Sequence, residues 1–291
     1  MEKRLKVTVL DALVLCALAA FSLWIFHRIR VDLHYNWHWE AIPQYLFRFD
    51  GQRHAWVPNF LIKGFLTTIK LSIWSTVLAT LLGVIMALFR VSKSLLRRMI
   101  GRTYVELIRN MPPLVLVFIV YYFISDQILN AMGISTLLAS LRPGTLDFLA
   151  SCCAPIPQLP LFISAVFMLA LYEGAYITEI VRAGIQSIEK GQWEASSALG
   201  FTKWQQMRHI IFPQATIRVL PPLAGQVIST IKDSAIVSVI SIQELTFQGM
   251  EIMSATYHTF EIWITITAMY FILTFTCSLA VRQLEIVMKR K

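Results

Sequence analysis

Six apolar runs constrain this chain more than any other feature: residues 7–26, 64–89, 111–129, 160–182, 213–240 and 259–281. Each is roughly 20 residues or somewhat longer, the length a helix needs to cross about 30 Å of hydrocarbon. No water in that layer satisfies a backbone N–H or C=O, so a spanning segment must bond to itself as a helix or close into a barrel. The alternating ten-residue segments of a barrel do not occur in the sequence. The expected class is therefore an all-α membrane protein with about six transmembrane helices. The first run follows Lys3, Arg4 and Lys6 and so resembles a signal peptide. It is long for one, Asp11 interrupts it, and "FHRIRVDL" after it offers no small-residue cleavage site. It is read as a helix.

The net charge of +9 would suit a nucleic-acid partner, but its distribution follows topology, and no nucleic acid is expected. On one side of the predicted bundle lie Lys3, Arg4 and Lys6; Arg90, Lys93, Arg97, Arg98, Arg102 and Arg109; Lys190, Lys203 and Arg208; and Arg282, Lys289, Arg290 and Lys291. The other side holds Arg28, Arg30, Arg48, Arg53 and Arg142. Lys and Arg accumulate on the cytoplasmic side, which puts both termini inside. The basic connector 90–110 serves topology and contact with anionic lipid, and needs no site. The outer segment 27–63 carries Tyr35, Trp37, Trp39 and Trp56. It reads either as an interfacial segment or as a docking surface for an external partner.

Enzyme chemistry finds little support. Cys16 and Cys277 sit in apolar runs. Cys152 and Cys153 are neighbours that pair poorly as a disulfide, and no metal-ligand spacing occurs. The histidines are grouped in the outer segment or isolated, no G-x-x-x-x-G-K-[ST] loop is present, and no internal repeat is visible. No catalytic residue, metal or cofactor is expected on this chain.

The stretch "EASSALGFTKWQQMRHIIFP", residues 194–213, separates the fourth and fifth runs. It predicts two short helices and a hinge. Ala195, Ser196, Ser197 and Ala198 permit close approach to the backbone. Gly200 suits the positive φ that ends a helix, and Thr202 with Gln205 has capping-box spacing. Trp204, Met207 and Ile211 recur at helical spacing, and Pro213 suits the first turn of a following helix. Such an elbow either packs on its own helices and lipid or shows a rigid apolar surface to a partner.

The order Glu194, Ala195, Gly200, Ile210, Phe212, Pro213 resembles the cytoplasmic loop signature of ABC importer permeases. Ser196 stands where a second Ala is usual, and Phe212 where Leu is usual. The segments "GFLTTIKLSIWSTVLATLLGVIMALFRVS", "YVELIRNMPPLVLVFIVYY", "YEGAYITEIVRAGIQSIEKGQWEASSALG" and "LPPLAGQVISTIKDSAIVSVISIQEL" extend the resemblance to the polar amino acid uptake branch, the histidine/glutamine/glutamate/arginine-type permeases. The resemblance covers about residues 59–245. It implies a type I ABC importer-like transmembrane domain of five helices at 59–291, preceded by an N-terminal helix and outer interfacial segment at 1–58. It also implies that Glu194, Ala195, Ser196, Gly200 and Phe201 couple the chain to separate ATP-binding cassette ATPase subunits, which hold the ATP and Mg. A second permease, identical or similar, and an external solute-binding protein complete the implied assembly, in a bacterial inner membrane.

An ionisable group at mid-bilayer costs roughly 2.5 to 3.5 kcal/mol and needs a reason. Lys232 and Asp233 lie deep in the fifth run and Glu173 in the fourth. Glu173 is the expected partner of Lys232, in an interhelical salt bridge or as part of a substrate path that meets a zwitterion. Pro221, Pro222 and Gly225 loosen the fifth helix. Lys70 and Asp126 are expected near the outer leaflet, and Glu179 with Arg182 as an i,i+3 pair. Leu116, Ile119 and Phe123 form an apolar face where related permeases often carry a polar residue. The rival function is an ion-coupled secondary amino acid carrier that uses Glu173 and Asp233.

Overall fold

The computed structural model describes residues 9–32, 35–52, 54–123 and 140–289, with positions 127, 131, 133 and 138 between them. The basic tail at residues 1–8, Arg53 and Asp126 lie outside the described residues. Contacts divide the chain into two units, Met1–Glu40 and Ala41–Lys291. The first contains helix α1, Val9–Asp32, which outlasts the predicted run by six residues. After it Trp37 stacks on Trp39 with ring centres 5.7 Å apart, and Tyr35 meets the edge of Trp37.

In the second unit α2 (Ile42–Leu46) leads into a hairpin of β1 (Phe47–Asp50) and β2 (Ala55–Pro58), in which Phe49 faces Trp56. The sequence reading had no strands; these are too short to alter the helical class. Then come α3 (Phe60–Val91), α4 (Leu95–Arg109), α5 (Pro113–Val120), α6 (Pro143–Cys152) and α7 (Leu159–Gln186). The elbow helices α8 (Lys190–Ala198) and α9 (Lys203–Gln205) follow. A π-helical stretch, Gln206–Ile211, joins α9 to α10 (Phe212–Asp233). A 3-10 stretch, Ser234–Ile240, precedes α11 (Leu245–Thr256) and α12 (Thr259–Lys289).

Among the described residues four segments are long and apolar enough to span: Phe60–Val91, Ile156–Gln186, Lys203–Ile240 and Thr259–Gln283. A fifth exists if α4 and the segment Pro113–Phe123, bent by 111° at Asn110–Pro112, count as one broken span. The apolar part of α1, Val9–Ile25, is shorter. The predicted six is thus approximate, and the third run is the one that differs most. Pro112 and Pro113 disfavour a helix running straight through from α4.

The basic connector 90–110 is itself largely helix. Gly101, Val105 and Ile108 recur at helical spacing on the buried face of α4. A Cβ on Gly101 would lie 2.8 Å from Arg90 Cγ and 3.0 Å from the Met86 carbonyl, so α4 packs directly on α3. Tyr104 donates to the Leu171 carbonyl at 2.7 Å and pins α4 to α7.

Small residues set the central helix pair. Ala79, Gly83 and Ala87 are buried along one stripe of α3. They face Gly174 and Ile177 of α7, where a Cβ on Gly83 would sit 2.6 Å from Ile177 Cγ2 and 3.1 Å from the Gly174 carbonyl. Lipid gives apolar helices little reason to associate, so close backbone approach at small residues does it. At the other end of α3, Lys70 reaches the Ala150 carbonyl at 3.5 Å rather than solvent alone. Trp74 donates to the Cys152 carbonyl at 3.1 Å. Cys152 and Cys153 are free thiols.

One buried carboxylate joins three helices. Glu244 caps α11, accepting from Thr246 N–H at 2.9 Å and Phe247 N–H at 2.7 Å. It also accepts from Tyr270 of α12 at 2.8 Å and from Thr68 of α3 at 3.3 Å. Losing one such cap costs typically about 1 kcal/mol, and orphaning buried donors about 1–3 kcal/mol. Glu244→Ala should therefore lower the thermal midpoint of the purified chain in detergent, with Glu244→Gln milder. An unchanged midpoint for the alanine variant would rule out this joint.

Candidate functional site

The elbow is closed at both ends of its turn. Gly200, at φ +79°, stops α8. Its N–H donates to the Ser197 carbonyl at 3.0 Å, and that of Phe201 to the Ser196 carbonyl at 3.2 Å, the paired bonds of a Schellman cap. Two residues on, Thr202 Oγ1 accepts from Gln205 N–H at 3.4 Å, and Gln205 Oε1 accepts from Thr202 N–H at 2.8 Å. That is the capping box anticipated from the sequence.

The limbs are tied together by Gln206, which donates to Ser197 Oγ at 2.7 Å, and by Gln214, which donates to Gln192 at 3.3 Å. Trp193, Met207 and Ile210 pack against a core that includes Ile185 and Ile211. The elbow is thus anchored on one side. On the other, Leu199, Phe201 and Trp204 are exposed, Leu199 by 76% and Trp204 by 63%. Arg208 stacks over the Trp204 ring at 4.9 Å.

Of the residues singled out from the sequence, Glu194, Ala195, Gly200 and Phe201 are exposed. Ser196 is not; it is buried, and its hydroxyl donates to the Trp193 carbonyl at 2.9 Å. The small side chain there lets the chain's own second limb approach. Leu199, the most exposed of the three apolar residues, was missed. Its signal was its place just before the capping glycine, outside both helical stripes.

Within the bundle, Glu173 is buried in α7 and accepts from the side chain of Gln226 on α10. The expected Glu173–Lys232 ion pair is not present among the described residues. Lys232 is exposed and Asp233 half-buried. Both instead line a cavity of about 140 Å³ with Pro113, Tyr172 and Ile236. Asp233 and Thr230 lie close enough to Glu173 to interact with it, so the two carboxylates and the lysine occupy one neighbourhood. Tyr172 and Tyr176 continue it, hydroxyl to hydroxyl at 3.3 Å, and Arg109 lies 5.2 Å from the Tyr176 ring centre.

The apolar face proposed for Leu116, Ile119 and Phe123 is split. Leu116 is buried with Val117 and Val120, while Ile119 and Phe123 are exposed. Glu179 does pair with Arg182, at 2.7 Å, and also binds Arg90 of α3. The backbone departures of the fifth helix fall on either side of Pro221 and Pro222: the π stretch before α10 and the 3-10 stretch after it.

A membrane-spanning helical bundle, with charged side chains gathered around one cavity and an anchored elbow showing apolar side chains, has the architecture of a transport permease. Residues 79–289 match the model of the binding-protein-dependent transport system inner membrane component family. The probable glutamine ABC transporter permease protein GlnM of Bacillus subtilis (strain 168) is 32% identical over 227 residues, 78% of this chain and 92% of that protein. The nopaline transport system permease protein NocM of Agrobacterium fabrum is 35% identical over 212 residues, 73% of this chain and 80% of its own length. The crystal structure of an amino acid ABC transporter with histidines superposes with a TM-score of 0.65 and 31% identity, covering 86% of this chain and 99% of that one. An inward-facing MetNI methionine ABC transporter, at 16% identity and a TM-score of 0.58, shares the fold. The chain belongs to the family of binding-protein-dependent transport system inner membrane components, as a permease subunit of an ABC importer.

Proposed function

We propose that the cargo is a polar amino acid and that the elbow around Gly200 is the coupling element that engages an ATPase subunit. The cargo reading is supported by the glutamine and nopaline permeases and the amino acid transporter among its relatives. The coupling reading is carried by the doubly capped turn that holds Leu199, Phe201 and Trp204 clear of the chain's own core. Glu194, Ala195, Gly200 and Phe201 surround the contact, and Ser196 supports it from beneath.

In this reading two ATPase subunits hold the ATP and Mg, a second permease pairs with this one, and an external solute-binding protein delivers the cargo. The chain breaks no bond, and both its termini face the cytoplasm. Residues 1–58 are an addition to the transport core at 59–291. Its work is to favour one of two packings according to ligand state. Lys232 would meet the carboxylate of a zwitterion and Asp233, with Glu173 beside it, the ammonium group. An ion-coupled carrier is not favoured, because the family works through ATPase partners.

The test is affinity purification of the tagged chain in mild detergent, comparing wild type with Glu194→Arg, Gly200→Trp. ATPase should follow wild type and fall by about tenfold or more with the variant, a loss of some 1.4 kcal/mol in affinity. Equal recovery with a well-folded variant would sink the coupling assignment.

A further inference from the structure

Between the elbow and the joint of α3 with α4 lies a cavity of about 1150 Å³. Lys93, Arg97 and Arg98 line it from the joint, and Lys190 and Lys203 from the elbow. None of these five has a carboxylate partner among the described residues, whereas Arg90, also on the wall, is held by Glu179. Glu194 is the only acidic residue of the lining. At the rim of the cavity Lys93, from the joint, and Lys203, from the elbow, come close enough to interact. Like charges that close repel, and an anion bound to both would offset the repulsion.

The walls are not only cationic. Leu88, Phe89 and Val91, the last turn of α3, contribute an apolar ledge directly beside the lysines. A free phosphate has no use for such a ledge. A phospholipid does, since its glycerol and first methylenes lie where a spanning helix leaves the hydrocarbon. We infer that this cavity binds the headgroup of an anionic phospholipid, with its phosphate bridging Lys93 and Lys203 from the cavity side. The inference rests on α3 spanning the membrane and on the proposed cytoplasmic side, not on the elbow's role in coupling. A lipid seated there bridges the elbow to α3 and α4, so the leaflet's composition sets how firmly the elbow is held.

The test uses the full-length purified chain, delipidated and then offered phosphatidylglycerol or phosphatidylcholine vesicles, with retained lipid measured by native mass spectrometry. Arg102→Gln, on α4 but outside the lining, is the control; Arg102 is exposed and lies by Glu106. Wild type and control should prefer phosphatidylglycerol, and Lys93→Gln, Lys203→Gln should lose that preference by about thirtyfold, the effect of two lysines at an anionic surface. Each single variant should lose part of it, which keeps the test open if the double variant folds poorly. Equal retention by wild type and the lysine variants overturns the site. So does displacement of the lipid by excess inorganic phosphate, which would assign the lysines to a soluble anion.

Discussion

Replacing Gly200 by valine should leave the chain in the membrane at its normal level and yet uncouple it from ATP hydrolysis. The position has φ +79°, and a Cβ there would meet nothing within 4 Å, so packing does not oppose the change. The opposition is local: a side chain in the left-handed region costs about 1–2 kcal/mol, and β-branching makes it worse. That strain falls on the Schellman bonds of Gly200 and Phe201 to the carbonyls of Ser197 and Ser196. Opening the cap releases Leu199 and Phe201 from the positions the turn gives them, and about 1.4 kcal/mol already shifts such an equilibrium tenfold. Binding-protein-stimulated ATPase activity of the assembled complex in nanodiscs should therefore fall by about tenfold or more. Full stimulation in Gly200→Val, at equal membrane abundance, would show that the turn's geometry is not what the ATPase reads.

Gly83→Leu should act at a different level and remove the protein. Even alanine there puts a methyl 2.6 Å from Ile177 Cγ2, 2.8 Å from Ile177 Cβ and 3.1 Å from the Gly174 carbonyl oxygen. The side-chain end can turn aside, but the backbone oxygen cannot, so α3 and α7 must separate. Overpacking of this kind costs about 1–3 kcal/mol for added methylenes, and leucine adds three more carbons than alanine at this close crossing. The leucine variant should be nearly absent from membranes, with the alanine variant reduced and lower-melting. Ile177→Ala should restore part of the stability of Gly83→Ala, because it removes Cγ2 and leaves the Cβ contact. An alanine variant with wild-type melting would mean that the small-residue stripe does not set the distance between these helices.

The helical class and the elbow were legible because each rests on short-range rules. A run of roughly 20 apolar residues and a Thr-x-x-Gln cap declare themselves within one stretch of chain. What escaped depended on distant partners. Glu244 carries no mark in "SIQEL" of the hydroxyls that reach it from Thr68 and Tyr270. Glu173 was matched to Lys232 by charge alone, yet Gln226, six residues earlier on the same helix, is the side chain that reaches it. The helix α4 was hidden by its own arginines, although Gly101, Val105 and Ile108 kept the apolar spacing beneath them. Ser196 shows the limit of the small-residue argument: it predicts close approach and does not say whose surface approaches.

The second limb of the elbow runs through the π stretch into α10 and ends at Asp233, beside the cavity that Lys232 shares. From Lys203 to Asp233 that is a rod of roughly 45 Å at about 1.5 Å per residue. Under the proposed coupling it would work as a crank: a tilt of the elbow at one end would sweep the charged end through an arc, with no loop between the two. In that motion the π turns near the elbow would serve as the compliant joint, and the hydrogen bond from Gln226 to Glu173 would be the contact that the stroke loads.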